Sequence, residues 1–338
     1  MSALPRSPLL LVRQLHVYHP LASRWPWQAP MQLKAVEGVN FDLDAGETLG
    51  IVGESGCGKS TLARALVGLH PATSGAVILN GINITHLDED ARRRVRREIQ
   101  LVFQDPLASL DPRMTVGEIV SEPLENLRPE LGAEQRSERV REMLERVGLR
   151  PEHALRYPHE FSGGQCQRIG IARALVVRPR VLVCDEAVSA LDVSIRAQII
   201  ELLQDLQREL GLGLVFIAHD LSVVRQISHK VMVMYLGRIM EQAPVEELFA
   251  RPRHPYTKAL LSAVPVPDPQ LERNRVRIIL EGELPSPAEP PSGCLFRTRC
   301  HFAHDRCARD IPNLRQIRPG PSGVACHYAE EIERAGAT

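Results

Sequence analysis

The chain is 338 residues long, 44% hydrophobic and 24% charged, a balance that excludes a disordered polymer and allows one large domain or two. Its 41 Lys and Arg offset 41 Asp and Glu, so the bulk charge does not point to nucleic acid. With aromatics at only 4%, the core must be mostly aliphatic.

The stretch up to Pro20 has a short apolar patch that Arg13 and His16 interrupt, with no charged segment leading into it, so no signal peptide is expected. No apolar run approaches the roughly 18 residues of a spanning helix, so the chain reads as soluble and intracellular, with any membrane work left to partners. Residues 9–18 alternate loosely as a strand, 20–33 read as a loop insertion rich in proline and tryptophan, and 35–45 read as a second strand. Thr48–Val52 is an apolar strand running directly into a glycine loop. Leu and Ala recur over Ser60–Leu69 as in a helix, with Gly68 near its end. The cationic run from Arg92 to Arg97 fits a solvated helix face. Residues 105–180 turn helical and charged, as an insertion in an α/β sheet would. Val181–Cys184 and Leu214–Ala218 are apolar on both faces, which suits the centre of a mainly parallel sheet. After Arg251 prolines cluster and four cysteines follow, placing a boundary near 260 between a first domain and a small appended one over 261–338.

Gly53-Glu54-Ser55-Gly56-Cys57-Gly58-Lys59-Ser60 fits the G-x-x-x-x-G-K-[ST] phosphate loop, and strand before and helix after are the context that motif requires. Its glycines let backbone N–H groups turn inward around phosphate oxygens, and the helix that follows aims its positive end at the same anion. Lys59 would reach the β and γ phosphates of ATP, Ser60 would ligate Mg²⁺, and Thr61 adds a nearby hydroxyl. Only the backbone of Cys57 would face phosphate. Asp185 and Glu186 close an apolar strand, an expensive place for two carboxylates unless a cation or a water needs them. Asp185 can hold Mg²⁺ and Glu186 can polarise an attacking water. Ser162-Gly163-Gly164-Gln165 at a helix start is a second anion cradle. One ATP needs only one, so the second serves an ATP bound by a facing subunit, which predicts a dimer with shared sites.

With Phe161 in place of the usual leucine, that cradle resembles the LSGGQ signature of the ABC-transporter ATPases, and the resemblance spans about residues 9–250 in order. It implies an α/β ABC cassette of the P-loop NTPase class, a mainly parallel sheet core with antiparallel strands and a helical subdomain. It implies that Tyr18 stacks on adenine and that Gln104 senses magnesium and contacts a membrane partner. It further implies that Asp192, in Ser189-Ala190-Leu191-Asp192, touches the opposite subunit and that His219 contacts the γ phosphate. FQDPLASLDPRMTVGEIVSEPL, HPYTKALLSAVP and GELPSPAEPPSGC are similar to the ATPases of dipeptide and oligopeptide importers. Those work as heterodimers under two transmembrane permease subunits, fed by an extracytoplasmic binding protein, at the cytoplasmic face of the bacterial inner membrane. Relatives that move nickel or glutathione keep the cargo open, and a soluble ABC ATPase acting on nucleic acid is the rival reading. Ala187 stands where proline often follows the catalytic glutamate, and Cys166 stands where Arg or Lys often follows the signature, removing a charge near the second cradle.

Cys294, Cys300, Cys307 and Cys326 bunch near the end without the C-x-x-C hooks zinc ribbons prefer. Four thiolates can hold an iron–sulfur cluster, and zinc or no metal are the alternatives. The resemblance to peptide-importer ATPases, whose members can carry a [4Fe-4S] cluster at a similar tail, favours the cluster.

Overall fold

The computed structural model describes residues 7–21, 32–265, 273 and 277–335. Strands β1 (Leu10–Pro20) and β2 (Gln32–Leu43) precede β3 (Thr48–Val52) and helix α1 (Lys59–Leu66), and β4 (Ser74–Leu79), β5 (Ile82–Asn83), α2 (Glu89–Arg96) and β6 (Ile99–Val102) follow. Most of the expected loop insertion, residues 22–31, lies outside the described residues. α1 ends at Leu66 rather than Leu69 because Gly68 takes a left-handed turn and the Leu69 N–H folds back on the Arg64 carbonyl at 2.8 Å. The arginine run does form a helix, α2, which Asp88 caps by accepting the Ala91 N–H at 2.8 Å.

The helical insertion comprises α3 (Val116–Leu127), α4 (Ala133–Arg146) and α5 (Gly163–Leu175). Thr115 and Glu118 form a capping box that starts α3. The chain then alternates through β7 (Val181–Asp185), α6 (Val193–Leu210), β8 (Gly213–Ile217), α7 (Leu221–Ile227), β9 (Lys230–Tyr235), β10 (Arg238–Pro244), α8 (Val245–Ala250) and α9 (Pro255–Ser262). The tail adds α10 (Asp305–Arg309), β11 (Gly323–Val324) and α11 (Ala329–Ala335). Among the described residues no helix is long and apolar enough to cross a membrane.

Two sheets result, one antiparallel in the order β2-β1-β4-β5 and one of seven strands in the order β11-β10-β9-β3-β8-β7-β6. Strands β9, β3, β8, β7 and β6 pair in parallel, while β10 and β11 join antiparallel at one edge. Strands β3, β7 and β8 are buried on both faces, as their unbroken apolar runs require. Their side chains alternate between two cores. Ile51, Val183 and Ile217 face the antiparallel sheet and α1, and Leu182, Leu214 and Phe216 face the helical insertion.

The tail is built into this frame. β11 pairs with β10 through Glu241↔Val324 and Gln242↔Gly323, and Phe296, only 1% exposed, sits in the same core as Tyr235 and Tyr256. His254 is equally buried and its Nδ1 accepts the Tyr256 N–H at 3.1 Å at the start of α9. Burial pushes this imidazole down from 6.5 to about 3. Between those values the unfolded chain binds a proton that the folded chain refuses, so stability rises with pH across the window and falls as pH drops toward 3. His254→Asn keeps a capping acceptor and should lose melting temperature less steeply over that range; equal slopes for the variant and the parent chain would refute the assignment.

Candidate active site

Four parallel strands end on one edge and deliver the polar groups there, which is where open α/β sheets present ligands. β3 leads into the phosphate loop, β7 ends at Asp185 before Glu186, β6 leads to Gln104, and β8 leads to His219. The N-cap of α1 is Gly58, with no side chain to occupy the first amides, so the helix start faces outward with its N–H groups free for an anion. Ser55, Gly56, Gly58, Lys59, Ser60 and Thr61 line a cavity of about 210 Å³ together with Gln104 and Glu186.

Within it Lys59, 4% exposed, donates to the Gly53 carbonyl at 2.8 Å and the Glu54 carbonyl at 3.0 Å. The Ser60 hydroxyl donates to Asp185 Oδ1 at 2.9 Å. Burial raises the pKa of Asp185, and the Ser60 hydrogen bond partly opposes the rise. A divalent cation at this pair would restore the ionised form, so Ser60 and Asp185 fit Mg²⁺ by their chemistry. Glu186 accepts from Gln104 Nε2 at 2.9 Å, and Lys59 Nζ stands 3.8 Å and His219 Nδ1 4.0 Å from its carboxylate. Three cationic or donor groups therefore surround one carboxylate beside the phosphate cradle.

Other expected site residues fall around this centre. Gly53, Glu54 and Cys57 are not among the cavity's lining residues; Cys57 is buried, and burial pushes its thiol up. Tyr18 is not among the cavity's lining residues; its hydroxyl lies 2.9 Å from His16 Nδ1 and the Lys34 ammonium lies 5.6 Å from its ring centre. Ser162, Gly163, Gly164 and Gln165 begin α5 as a capping box and stand outside the cavity, with Ser162 and Gly163 exposed. Gly163 lies near Leu191, which places the exposed Asp192 turn beside the cradle. Cys166 corrects an expectation. Its side chain is fully buried with Sγ 3.6 Å from the Pro158 carbonyl, so the position points into the fold and not at the second cradle.

Residues that motif reasoning missed also reach the loop. Lys34, Gly237 and Pro287 line the cavity, Tyr256 Oη accepts the Glu54 N–H at 2.9 Å, and Arg299 pairs with the Glu54 carboxylate. No sequence signal links positions so far apart in the chain.

The four tail cysteines are all free thiols, Cys294 and Cys307 buried and Cys300 and Cys326 half-buried. The Cys294 N–H donates to the Cys307 carbonyl at 2.8 Å. Burial chiefly, then the neighbouring thiols, pushes Cys300 up to about 12 and Cys326 up to about 11. The four therefore lie within electrostatic reach of one another. Among the described residues, however, no three His, Cys, Asp or Glu side chains converge to hold a metal ion.

Residues 36–189 match the ABC transporter family and residues 240–307 match the oligopeptide/dipeptide transporter C-terminal region. The chain is 57% identical over 311 residues to the oligopeptide transport ATP-binding protein OppF of Salmonella typhimurium, covering 91% of this chain and 93% of that one. It is 58% identical over 283 residues to OppF of Haemophilus influenzae, covering 84% and 85%. A dimeric ATP-binding cassette solved in a post-hydrolysis state with ADP and Pi superimposes with a TM-score of 0.62 at 30% identity, covering 70% of this chain and 98% of that one. The cassette cbiO1 of Clostridium perfringens gives the same score at 30% identity over 72% and 92%. The chain belongs to the ABC transporter ATP-binding proteins, in their oligopeptide/dipeptide transporter group.

Proposed function

We propose that this chain hydrolyses ATP as one of two cassettes that power uptake of dipeptides or oligopeptides through partner permease subunits. The observation that carries the ATPase reading is the convergence of Lys59, Ser60, Gln104 and Glu186 on one cavity, with Asp185 bonded to Ser60 and His219 4.0 Å from the Glu186 carboxylate. The likeness to oligopeptide transport ATP-binding proteins over most of both chains supports the cargo class.

In this reading the loop amides and Lys59 hold the β and γ phosphates, while Ser60, Asp185 and Gln104 would hold Mg²⁺. The ion supplies charge neutralisation on the phosphates. Glu186 takes the proton of the attacking water, with Gln104 and His219 orienting the carboxylate and the γ phosphate. Tyr18, with the Lys34 ammonium 5.6 Å from its ring centre, would stack on the adenine. The exposed Ser162–Gln165 cradle and Asp192 close over the ATP of a second, homologous ATPase, and the work is done at the cytoplasmic face of the inner membrane. ATP turnover of the complete complex, reconstituted with its partner ATPase and permeases, tests this. Stimulation several-fold by peptide-loaded binding protein is expected. Stimulation by nickel- or glutathione-loaded protein instead would move the cargo, and stimulation by nucleic acid alone would overturn importer function.

We further propose that Cys294, Cys300, Cys307 and Cys326 hold a [4Fe-4S] cluster. The four thiols lie within electrostatic reach of one another, as the ligands of one shared cluster would have to. The absence of paired C-x-x-C hooks disfavours a zinc ribbon, and the match of residues 240–307 to the oligopeptide/dipeptide transporter C-terminal region supports the cluster. The cluster would stabilise a tail that has few apolar residues of its own. Anaerobically purified chain should carry about four irons, and Cys326→Ser should lose most of them. One zinc and no iron would reverse the assignment.

A further inference from the structure

The phosphate loop is braced by the tail. Glu54, the second residue of the loop, is held at three points. Its carboxylate receives a two-pronged bond from Arg299, with Nη1 at 2.6 Å from Oε2 and Nη2 at 3.1 Å from Oε1. Its N–H is taken by Tyr256 Oη at 2.9 Å, and its carbonyl accepts Lys59 Nζ at 3.0 Å. The Glu54 amide is therefore turned away from the phosphate cradle, and Glu54 serves as an anchor of the loop. The anchor is stiff. Arg299 is 8% exposed along its side chain, and Tyr256 packs in a buried trio with Tyr235 and Phe296, ring centres 4.9 to 5.4 Å apart. Phe296 and Arg299 belong to one short turn of the tail, and Pro287 of the same tail lines the nucleotide cavity.

We propose that Arg299 is a positioning residue for ATP binding: through Glu54 it fixes the Gly53 and Glu54 carbonyls that steer Lys59, so that the tail sets the affinity of the site for ATP. A planar fork bound bidentately to a carboxylate defines orientation as well as charge, and a preset loop does not have to be ordered when nucleotide arrives. The inference rests on the ATPase reading and is independent of any metal at the cysteines.

The test is ATP hydrolysis by the assembled transporter, with iron content and melting temperature followed in parallel. Arg299→Ala should raise KM for ATP about tenfold and change kcat less than about twofold, because Glu186 and its partners are untouched. Glu54→Ala should do the same, and the double variant should be no worse than either single one. Arg299→Lys keeps a charge but not the fork and should fall in between. An unchanged KM in Arg299→Ala, or single effects that multiply in the double variant, would overturn the proposal. If Arg299→Ala melts early or loses iron, Arg299→Lys decides alone: KM raised at least threefold upholds the brace, and parent KM refutes it. Robust turnover by the parent complex in the same assay separates failure of the brace from failure of the ATPase reading.

Discussion

Glu186→Gln is expected to lower ATP turnover by roughly 10²–10⁴-fold and to leave ATP affinity within about a factor of two, the loss that removal of a positioned general base produces. The reason lies in how the residue is held. Its φ of 48° is a left-handed conformation that a non-glycine residue adopts only when its surroundings impose it, and such strain gathers at functional sites. The backbone is fixed without help from the side chain: the Glu186 N–H donates to the Ile217 carbonyl at 3.0 Å, and its own carbonyl accepts the Ser189 N–H at 3.0 Å and the Ser189 hydroxyl at 2.9 Å. The amide oxygen of glutamine can still accept from Gln104, so the geometry should survive while the basicity does not. Single-turnover hydrolysis and equilibrium nucleotide binding by the same preparation check both halves. Parent-like turnover would transfer the role of base to another group, and His219, 57% exposed and 4.0 Å away, is the next in reach.

The parts of this site that depend on consecutive residues were readable from the chain. Leu49–Val52 and Val181–Cys184 are buried on both faces, and a stretch of that kind carries no polar side chains, so both stand out against amphipathic neighbours. The phosphate loop is likewise local, because a helix start and its glycines lie in one continuous segment. The four-residue strand β6 is too short for its periodicity to separate strand from helix, and it escaped. Whatever depends on tertiary register was hidden. The tail looks detachable from its prolines and cysteines, yet Val324 pairs with Glu241 at the sheet edge and Phe296 is buried against Tyr235. Arg299 finds Glu54 across most of the chain, and one of two arginines between Cys294 and Cys300 gives no hint of it. Cys166 shows the converse: it directly follows the signature in the chain, where a charge is usual, but the helical period turns it into the core.

Gly58→Ala should sharply weaken ATP binding and destabilise the fold by about 2–5 kcal/mol, the sum of a left-handed backbone penalty and an overpacking penalty. Gly58 has a φ of 105°, and a Cβ placed on it would stand 2.0 Å from the Ala35 carbonyl oxygen and 3.2 Å from the Ala35 carbonyl carbon. Both are backbone atoms of β2 and cannot rotate aside, so either the strand or the loop must move. The strand is not free to yield, because the Glu37 N–H donates to the Gly237 carbonyl and the Gly237 N–H donates to the Cys57 carbonyl, each at 2.9 Å. β2, the β9–β10 turn and the phosphate loop are thus tied together at the N-cap of α1. The loop is the piece left to shift, and it carries the amides that receive phosphate. The glycine therefore answers two demands at once: the cradle needs its conformation, and the antiparallel sheet needs its missing side chain to approach so closely. Denaturant unfolding of Gly58→Ala beside the parent chain measures the loss of stability, and nucleotide binding measures the loss of affinity. A stability change below about 1 kcal/mol would mean that the Ala35 carbonyl does not press on the loop in solution.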